Sequence, residues 1–437
     1  MDYNAWVALF CFIGMFVLIG MGLPIWLSMV TAALVGFWLV GGTNFTFQQF
    51  STATYYITSS FNFAVVPLFI LMSILAAECG IAEACYETFS KWLGGLRGGL
   101  LIATVLGAAL FGACSGMALA AIAVFTKVAL PELEKNNYDK PLSTACIAVS
   151  GTLDSLIPPS VPIVIFCILL ELSIGRALVA GIVPGLVLAL LLSLTIVAVG
   201  IINPKKVPKV DLHVSWKEKF WSLRLTGPVL LVIALVIGGM YLGIFAPTVG
   251  GAAGSAAILV IALVRRVKMG RIVHSFYETI LINAQIYPLV IGGFLYSRFI
   301  ALSGLSTSLM DVITQANLSP LLLMLVLVIF YLIIGCVLEF FSMLIITLPF
   351  VFPLLISAGF DPMAILIIIL LLGAIAGLTP PIGMAVFVVA GVARIRPEEI
   401  FRGIMPFFFV CLAMLWLIVF FPQLATWLPD LFYGKFA

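Results

Sequence analysis

Residues 154–166 read DSLIPPSVPIVIF, and they interrupt an apolar stretch otherwise long enough for one membrane helix. Pro158, Pro159 and Pro162 remove backbone donors and clash with the preceding turn, so a helix breaks here. At membrane depth such a break is costly, because freed backbone groups find partners only inside protein or beside water. The rest of the chain shows what the break is for.

Of 437 residues, 64% are hydrophobic and only 9% charged. The mean hydropathy is +1.28. A typical soluble chain carries about 25% charged residues. Apolar runs of about 20 residues recur from Trp6 almost to the C-terminus, the pattern of a polytopic membrane protein. The first run has no basic segment before it and leads into a second span, so it does not read as a cleavable signal peptide. A net charge of +3, with no basic cluster interleaved with aromatics, argues against nucleic acid as a partner. The eight cysteines are scattered without a CxxC pair, and both histidines, His213 and His274, fall in polar loops. The cysteines read as small apolar filler, and no transition-metal site or cofactor is expected.

Hydropathy places spans near 5–20, 23–40, 61–78, 141–172, 177–203, 225–244, 246–264, 281–303, 362–393 and 404–422. The stretches 98–130 and 320–354 are too long for one crossing and carry small or polar residues midway. Each reads as a re-entrant hairpin whose two arms enter and leave on one side. With the N-terminus outside, 18 of the 21 Lys and Arg residues lie on the inner side, and only Arg176, Arg298 and Lys435 do not. That asymmetry follows the positive-inside rule. It places both termini on the outer, periplasmic face of a bacterial inner membrane.

The one long polar stretch, 204–224, falls near the midpoint and separates 1–203 from 225–437. At a constant spacing of 222, Pro131 meets Pro353, Asp139 meets Asp361, and Pro158-Pro159 meet Pro380-Pro381. Gly181, Ile182 and Pro184 meet Gly403, Ile404 and Pro406 in the same register. Each half holds five full spans, an odd number, so the second copy is expected to be inverted. The break thus recurs as GLTPPIGMAVF, residues 377–387.

Inverted repeats with interrupted helices build a site near the midplane, where half-helix N-termini face anions and freed carbonyls face cations such as Na+. Four elements are expected to converge: the tip GACSGM (112–117), the break 150–160, the tip 335–342 and the break 373–383. Ser115, Ser150, Thr152, Ser155, Ser342 and Thr379 offer hard oxygen donors, although Ser and Thr also bond back to their own helix carbonyls. Asp154 and Glu339 are ionisable groups inside spans, which marks them for function, the alternative being that either caps a half-helix or pairs locally. Arg298 either pairs with a substrate anion or snorkels outward. The amphipathic segments 79–94 and 304–317 precede the hairpins and read as interfacial helices, either static or linking a fixed scaffold to a moving hairpin domain. An intramembrane enzyme would need a paired catalytic set that the spans lack. A channel would leave the internal symmetry without a purpose.

SGTLDSLIPPSVPIVIF, ALVAGIVPGLVLAL, GFDP and GLTPPIGMAVFVV resemble the large, DctM-like membrane subunit of tripartite ATP-independent periplasmic (TRAP) transporters. The likeness covers nearly the whole chain. It implies an all-α polytopic membrane protein of the ion-transporter superfamily, an inverted-repeat elevator with about ten spans, two re-entrant hairpins and two broken helices. It also implies Na+ symport of an organic anion, a separate small four-helix membrane subunit and a periplasmic substrate-binding protein. Carried onto this chain, Na+ contacts fall on Ser115 and Gly116 with Gly377, Thr379 and Pro380, and on Ser150, Gly151, Thr152, Ser155 and Pro158 with Glu339. Substrate contacts are expected from Ser115, Asp154, Arg298, Ser342, Pro159 and Pro381. The first tip is poorer in hydroxyls than the family's usual Ser- and Thr-rich version, and Glu339 stands where Asp is common. A stand-alone Na+-coupled anion symporter of the same superfamily is the competing reading.

Overall fold

In a computed structural model, residues 3–210, 214–315, 319–336, 338–381 and 383–434 are described, apart from the side chains of 309 and 312–314. His213, Lys435 and the last two residues of the segment 304–317 lie outside them.

The chain opens with α1 (Tyr3–Gly20) and α2 (Ile25–Ser59), a 35-residue helix that kinks at Gly42. Gly42 takes φ 74°, a left-handed conformation that favours glycine. A short 3-10 turn leads into α3 (Val65–Glu78), followed by the amphipathic α4 (Ile81–Leu93). The first hairpin is α5 (Gly99–Ser115) and α6 (Ala118–Lys135). α7 (Lys140–Ser150) stops at a 3-10 turn, Gly151–Ser155, and the chain restarts as α8 (Val161–Leu170). α9 (Ile174–Ala180) and α10 (Ile182–Ile202) complete this half.

The second half starts with α11 (Trp216–Ile233), which passes through a π-helical turn into α12 (Gly239–Tyr241). Ser215 and Glu218 form a capping box, so helix begins inside the polar stretch 204–224. α13 (Pro247–Val264), α14 (Met269–Ser303) and the amphipathic α15 (Leu305–Gln315) follow. The second hairpin is α16 (Pro320–Ile334) and α17 (Phe340–Ser357). The second broken helix is α18 (Pro362–Ala376) and α19 (Met384–Ala393), and α20 (Pro397–Phe420) and α21 (Gln423–Tyr433) end the chain.

Among the described residues nine helices are long and apolar enough to cross a membrane. Eight coincide with spans expected from hydropathy. The other two expected spans, 141–172 and 362–393, are the interrupted ones, with pieces of 11, 10, 15 and 10 residues. The ninth long helix is α17, the return arm of the second hairpin.

The two halves keep the 222-residue spacing in their elements. α6 and α17 begin at Ala118 and Phe340 and end at Lys135 and Ser357. Asp139 and Asp361, equivalent in that register, cap α7 and α18. Asp139 accepts the Leu142 N–H at 3.0 Å, and Asp361 accepts the Met363 N–H at 2.7 Å. Each is followed by a proline in the first turn, where a missing donor costs nothing.

The core runs through the broken helices. Every side chain of α7 from Leu142 to Ser150 is buried, as is nearly all of α18. α2 packs on α14 and α1, and α3 on α13 and α14. α7 packs on α20, α6 on α19, and α5 on α4, α6 and α10. α21 lies against α9, where Arg176 donates to the Gly434 carbonyl at 2.8 Å and pairs with the Asp430 carboxylate. The Arg176 side chain is 8% exposed and Asp430 28%. Asp430→Asn is therefore expected to cost about 1–3 kcal/mol, less than the loss of a fully buried partner. Thermal unfolding in lipid nanodiscs reads that loss as a lower melting temperature, and an unchanged one would show that the clasp carries no stability.

Candidate functional site

Both prolyl pairs, Pro158-Pro159 and Pro380-Pro381, are cis. In the first break the chain leaves α7 through Gly151–Ser155, and the Ser160 hydroxyl donates back to the Ser155 carbonyl at 3.0 Å. In the second, Ala385 N–H donates across the gap to the Gly377 carbonyl at 3.2 Å. Proline removes donors at these positions, and the flanking residues close the remaining bonds locally.

Each tip is tied to the break of its own half. At the first tip Gly116 ends α5 in the left-handed region, and its carbonyl accepts the Val161 N–H at 3.4 Å. At the second tip the Cys336 thiol lies 3.1 Å from the Pro380 carbonyl. Ser115 is buried, and its hydroxyl oxygen accepts from Ser73 of α3 at 3.2 Å.

A cavity of about 130 Å³ lies where these pieces meet. Gly116 to Leu119 of the first tip and Gly151, Thr152 and Ser155 of the first break form one side. Gly335 and Leu338 to Phe341 of the second tip, with Gly373, Gly377, Met384 and Ala385 of the second break, form the other. Its polar side chains are Thr152, Ser155 and Glu339, set in an otherwise small or apolar wall. The C-terminal ends of α5, α7, α16 and α18 and the N-terminal ends of α6, α8, α17 and α19 border it. Helix C-termini favour cations and N-termini favour anions, so the assembly suits an ion and an anion held close together.

Of the residues expected to contact Na+, Gly116, Gly151, Thr152, Ser155, Glu339 and Gly377 line the cavity. Ser150 and Thr379 instead donate to carbonyls of their own helices, Cys146 at 2.7 Å and Ile375 at 2.9 Å. Thr152 also donates to the Val149 carbonyl, at 2.7 Å, but faces the cavity. Ser115, Pro158 and Pro380 are not in the wall: Ser115 and Pro158 are buried, and Pro380 is exposed. Glu339 caps α17, accepting from the Phe341 and Ser342 N–H groups and the Ser342 hydroxyl, each at 3.2 Å. The capping role left open for the intramembrane carboxylates applies to Glu339.

None of Asp154, Arg298, Ser342, Pro159 and Pro381 is in the cavity wall. Arg298 sits on α14, Ser342 turns to Glu339, and Asp154 is buried against Gly112 of α5. The residues that sequence reasoning missed are the apolar wall (Met117, Leu119, Phe340, Phe341 and Met384) and Ser73 behind the first tip. Proximity to the tips was the only available signal for the wall.

Residues 12–424 match the family described as "Tripartite ATP-independent periplasmic transporter, DctM component". The C4-dicarboxylate TRAP transporter large permease protein DctM of Vibrio cholerae is 28% identical, over 84% of this chain and 86% of its own. The sialic acid TRAP transporter large permease protein SiaM of the same species is 29% identical, over 94% and 96%. The crystal structure of the YdaH transporter of Alcanivorax borkumensis covers 88% of each chain with a TM-score of 0.62 at 13% identity, a likeness of fold.

Proposed function

This chain belongs to the DctM family, the large membrane subunits of tripartite ATP-independent periplasmic transporters, and from that premise we propose that it imports a small organic anion by Na+ symport. The single observation that carries the reading is the cavity built jointly from two tips and two breaks. Thr152, Ser155, Glu339 and the carbonyls at Gly116, Gly151 and Gly377 are the ion contacts. Ser115, Ser150, Pro158, Thr379 and Pro380 hold those backbones in place. The anion is received beside the N-terminal ends of α8 and α19.

Transport proceeds by an elevator. The hairpins and broken helices, with the cavity among them, move against a scaffold that includes α1, α2, α3, α13 and α14. The interfacial helices α4 and α15 join the two parts. A periplasmic binding protein delivers the anion, and a separate small four-helix subunit flanks the scaffold. The membrane is the bacterial inner membrane, with both termini periplasmic, which the placement of 18 of the 21 Lys and Arg residues supports.

Uptake of labelled carboxylates and sulfonates into proteoliposomes tests this, with the small subunit and binding protein supplied or withheld. Uptake is expected only with an inward Na+ gradient and both partners present. Ser155→Ala is expected to raise the Na+ concentration for half-maximal uptake by about tenfold, the scale of one hydrogen-bonding group lost from a charge. Thr379→Ala, whose hydroxyl is spent on its own helix, should shift it much less. Full uptake from a proton gradient without Na+ would refute the coupling. Uptake by this chain alone would instead favour a stand-alone symporter.

A further inference from the structure

Lys206 and Arg402 meet at a groove of about 430 Å³ formed by the start of α7, the end of α10 and the start of α20. It shares no wall residue with the cavity between the tips. Local backbone chemistry builds it. Gly403 brings α20 so close to α7 that an added Cβ would lie 2.2 Å from the Pro141 carbonyl oxygen. Beyond α10 the Lys206 N–H donates to the Asn203 carbonyl at 3.0 Å, and the Lys206 carbonyl accepts the Asp139 N–H at 3.0 Å. The chain after α10 is thereby folded back onto the start of α7, and Lys206 is held in the wall. Pro406 has no N–H to give the Arg402 carbonyl, so a backbone acceptor is left at the same edge.

The charges in this groove are unbalanced. Neighbouring cations are paired, Lys140 with Glu134 at 2.7 Å and Arg396 with Glu399 at 2.9 Å. The Lys206 and Arg402 side chains form no hydrogen bond or ion pair among the described residues. Asp139 also lines the groove, but its Oδ1 caps α7 by accepting the Leu142 N–H at 3.0 Å. Two cations and one carboxylate leave one net positive charge, which a single phosphodiester neutralises.

Apolar surface runs from the groove along both helices. Leu190, Leu194, Val197 and Ile201 are exposed along α10, and Met405 and Phe409 along α20. A ligand that matches both features carries a phosphate at one end and long apolar chains at the other.

The 222-residue register supplies an internal comparison. Val199 and Ile202 correspond to Phe421 and Leu424, which line a second groove, of about 410 Å³, at the opposite ends of α10 and α20. There the equivalents of Lys206 and Arg402 are Leu428 and Ala180, and no charged residue lines the wall. The duplicated framework gives a groove twice, and only one copy carries cations.

We propose that the groove at Lys206 and Arg402 holds the headgroup of an anionic phospholipid, its phosphate between the two cations and its acyl chains along α10 and α20. Basic pockets between membrane helices on the cytoplasmic side suit such headgroups. Only the choice of leaflet rests on the orientation proposed above. The bound lipid ties α10 and α20 to the start of the first broken helix.

Native mass spectrometry of the full-length chain in detergent, titrated with phosphatidylglycerol or phosphatidylcholine, tests this. Phosphatidylglycerol is expected to bind at least about tenfold more tightly, and Lys206→Gln combined with Arg402→Gln to abolish the preference. Lys217→Gln with Arg224→Gln, an exposed pair on α11, removes the same charge outside the groove and should keep it. An equal loss in the α11 pair would mean that general surface charge attracts the lipid, and the site would fall. No preference in the wild-type chain overturns the proposal outright. Inorganic phosphate that binds as tightly as the lipid would overturn the lipid assignment in favour of a free anion. Should the Lys206 and Arg402 variant be unstable, cryo-electron microscopy of the wild-type chain in phosphatidylglycerol nanodiscs decides. Headgroup density in the groove supports the site, and its absence there overturns it. No arm of the test uses Na+ or uptake, so its failure leaves the transport reading standing.

Discussion

Replacing Gly116 by alanine is expected to cut uptake by at least about tenfold while the protein still inserts and folds. Gly116 sits at φ +61°, and a Cβ built there would lie 2.6 Å from the Pro159 carbonyl oxygen and 3.3 Å from the Val161 nitrogen. Both neighbours are backbone, so neither can swing aside as a side chain could. Left-handed backbone alone costs a non-glycine residue roughly 1–2 kcal/mol. The larger effect is geometric, because the methyl must push the first tip off the first break. The Val161 N–H then loses the Gly116 carbonyl, and the cavity loses the wall that runs from Gly116 to Leu119. Gly359 provides the control. It takes φ +87° between α17 and α18, yet an added Cβ there meets nothing within 4 Å. Gly359→Ala should therefore carry the backbone strain without the loss of uptake. Equal losses in the two variants, measured in proteoliposomes and normalised to inserted protein, would mean that the tip–break contact is not what transport depends on.

The parts of this site that were legible in the sequence are those whose chemistry acts on their own backbone. Pro158-Pro159 and Pro380-Pro381 break a helix wherever they fall, and Asp139 and Asp361 cap the helix that follows them. Gly116 reports a turn for the same reason. Such residues can be read one at a time, and their recurrence at a fixed spacing adds to each. The cavity wall is different. Met117, Phe340 and Met384 face the cavity, while Phe10, Leu190 and Leu231 are exposed on the outside of the molecule. In a chain this apolar, composition cannot separate the two, because the membrane and the protein interior select the same side chains. Hydroxyls are ambiguous in another way. Ser150, Thr379 and Ser155 look alike as donors in sequence, but the first two are spent on carbonyls one turn back. Which helix face each occupies is set only by the fold. The Ser73 contact to Ser115 joins residues 42 apart, and nothing local announces it.

The second large effect concerns movement. Joining Tyr56 to Glu171 by a covalent link is expected to stop uptake completely, with recovery when the link is cleaved. Tyr56 lies on α2 beyond the Gly42 kink, and α2 packs on α1 and α14. Glu171 follows α8 at the end of the first broken helix and takes φ +55°. The Tyr56 hydroxyl donates to Glu171 Oε1 at 3.3 Å, and the two residues share the wall of a second, polar pocket with Ser60 and Asn62. As an exposed contact the bond itself is worth little, about 0–1 kcal/mol, so Glu171→Gln should leave uptake nearly unchanged. Its position gives it diagnostic value, because it bridges α2 and the end of the first broken helix, which the proposed elevator would have to separate in every cycle. Cysteines at both positions, joined by a bifunctional maleimide with a reducible spacer, hold that separation at zero. Cys336 is half-buried, unlike the seven other native cysteines, and is replaced by serine to keep the reaction specific. Each single-cysteine protein treated with the same reagent should keep transporting. If the linked protein transports at the full rate, these two helices do not part during the cycle. The substrate must then cross by a gate that opens within a fixed frame, and the elevator is the wrong mechanism for this chain.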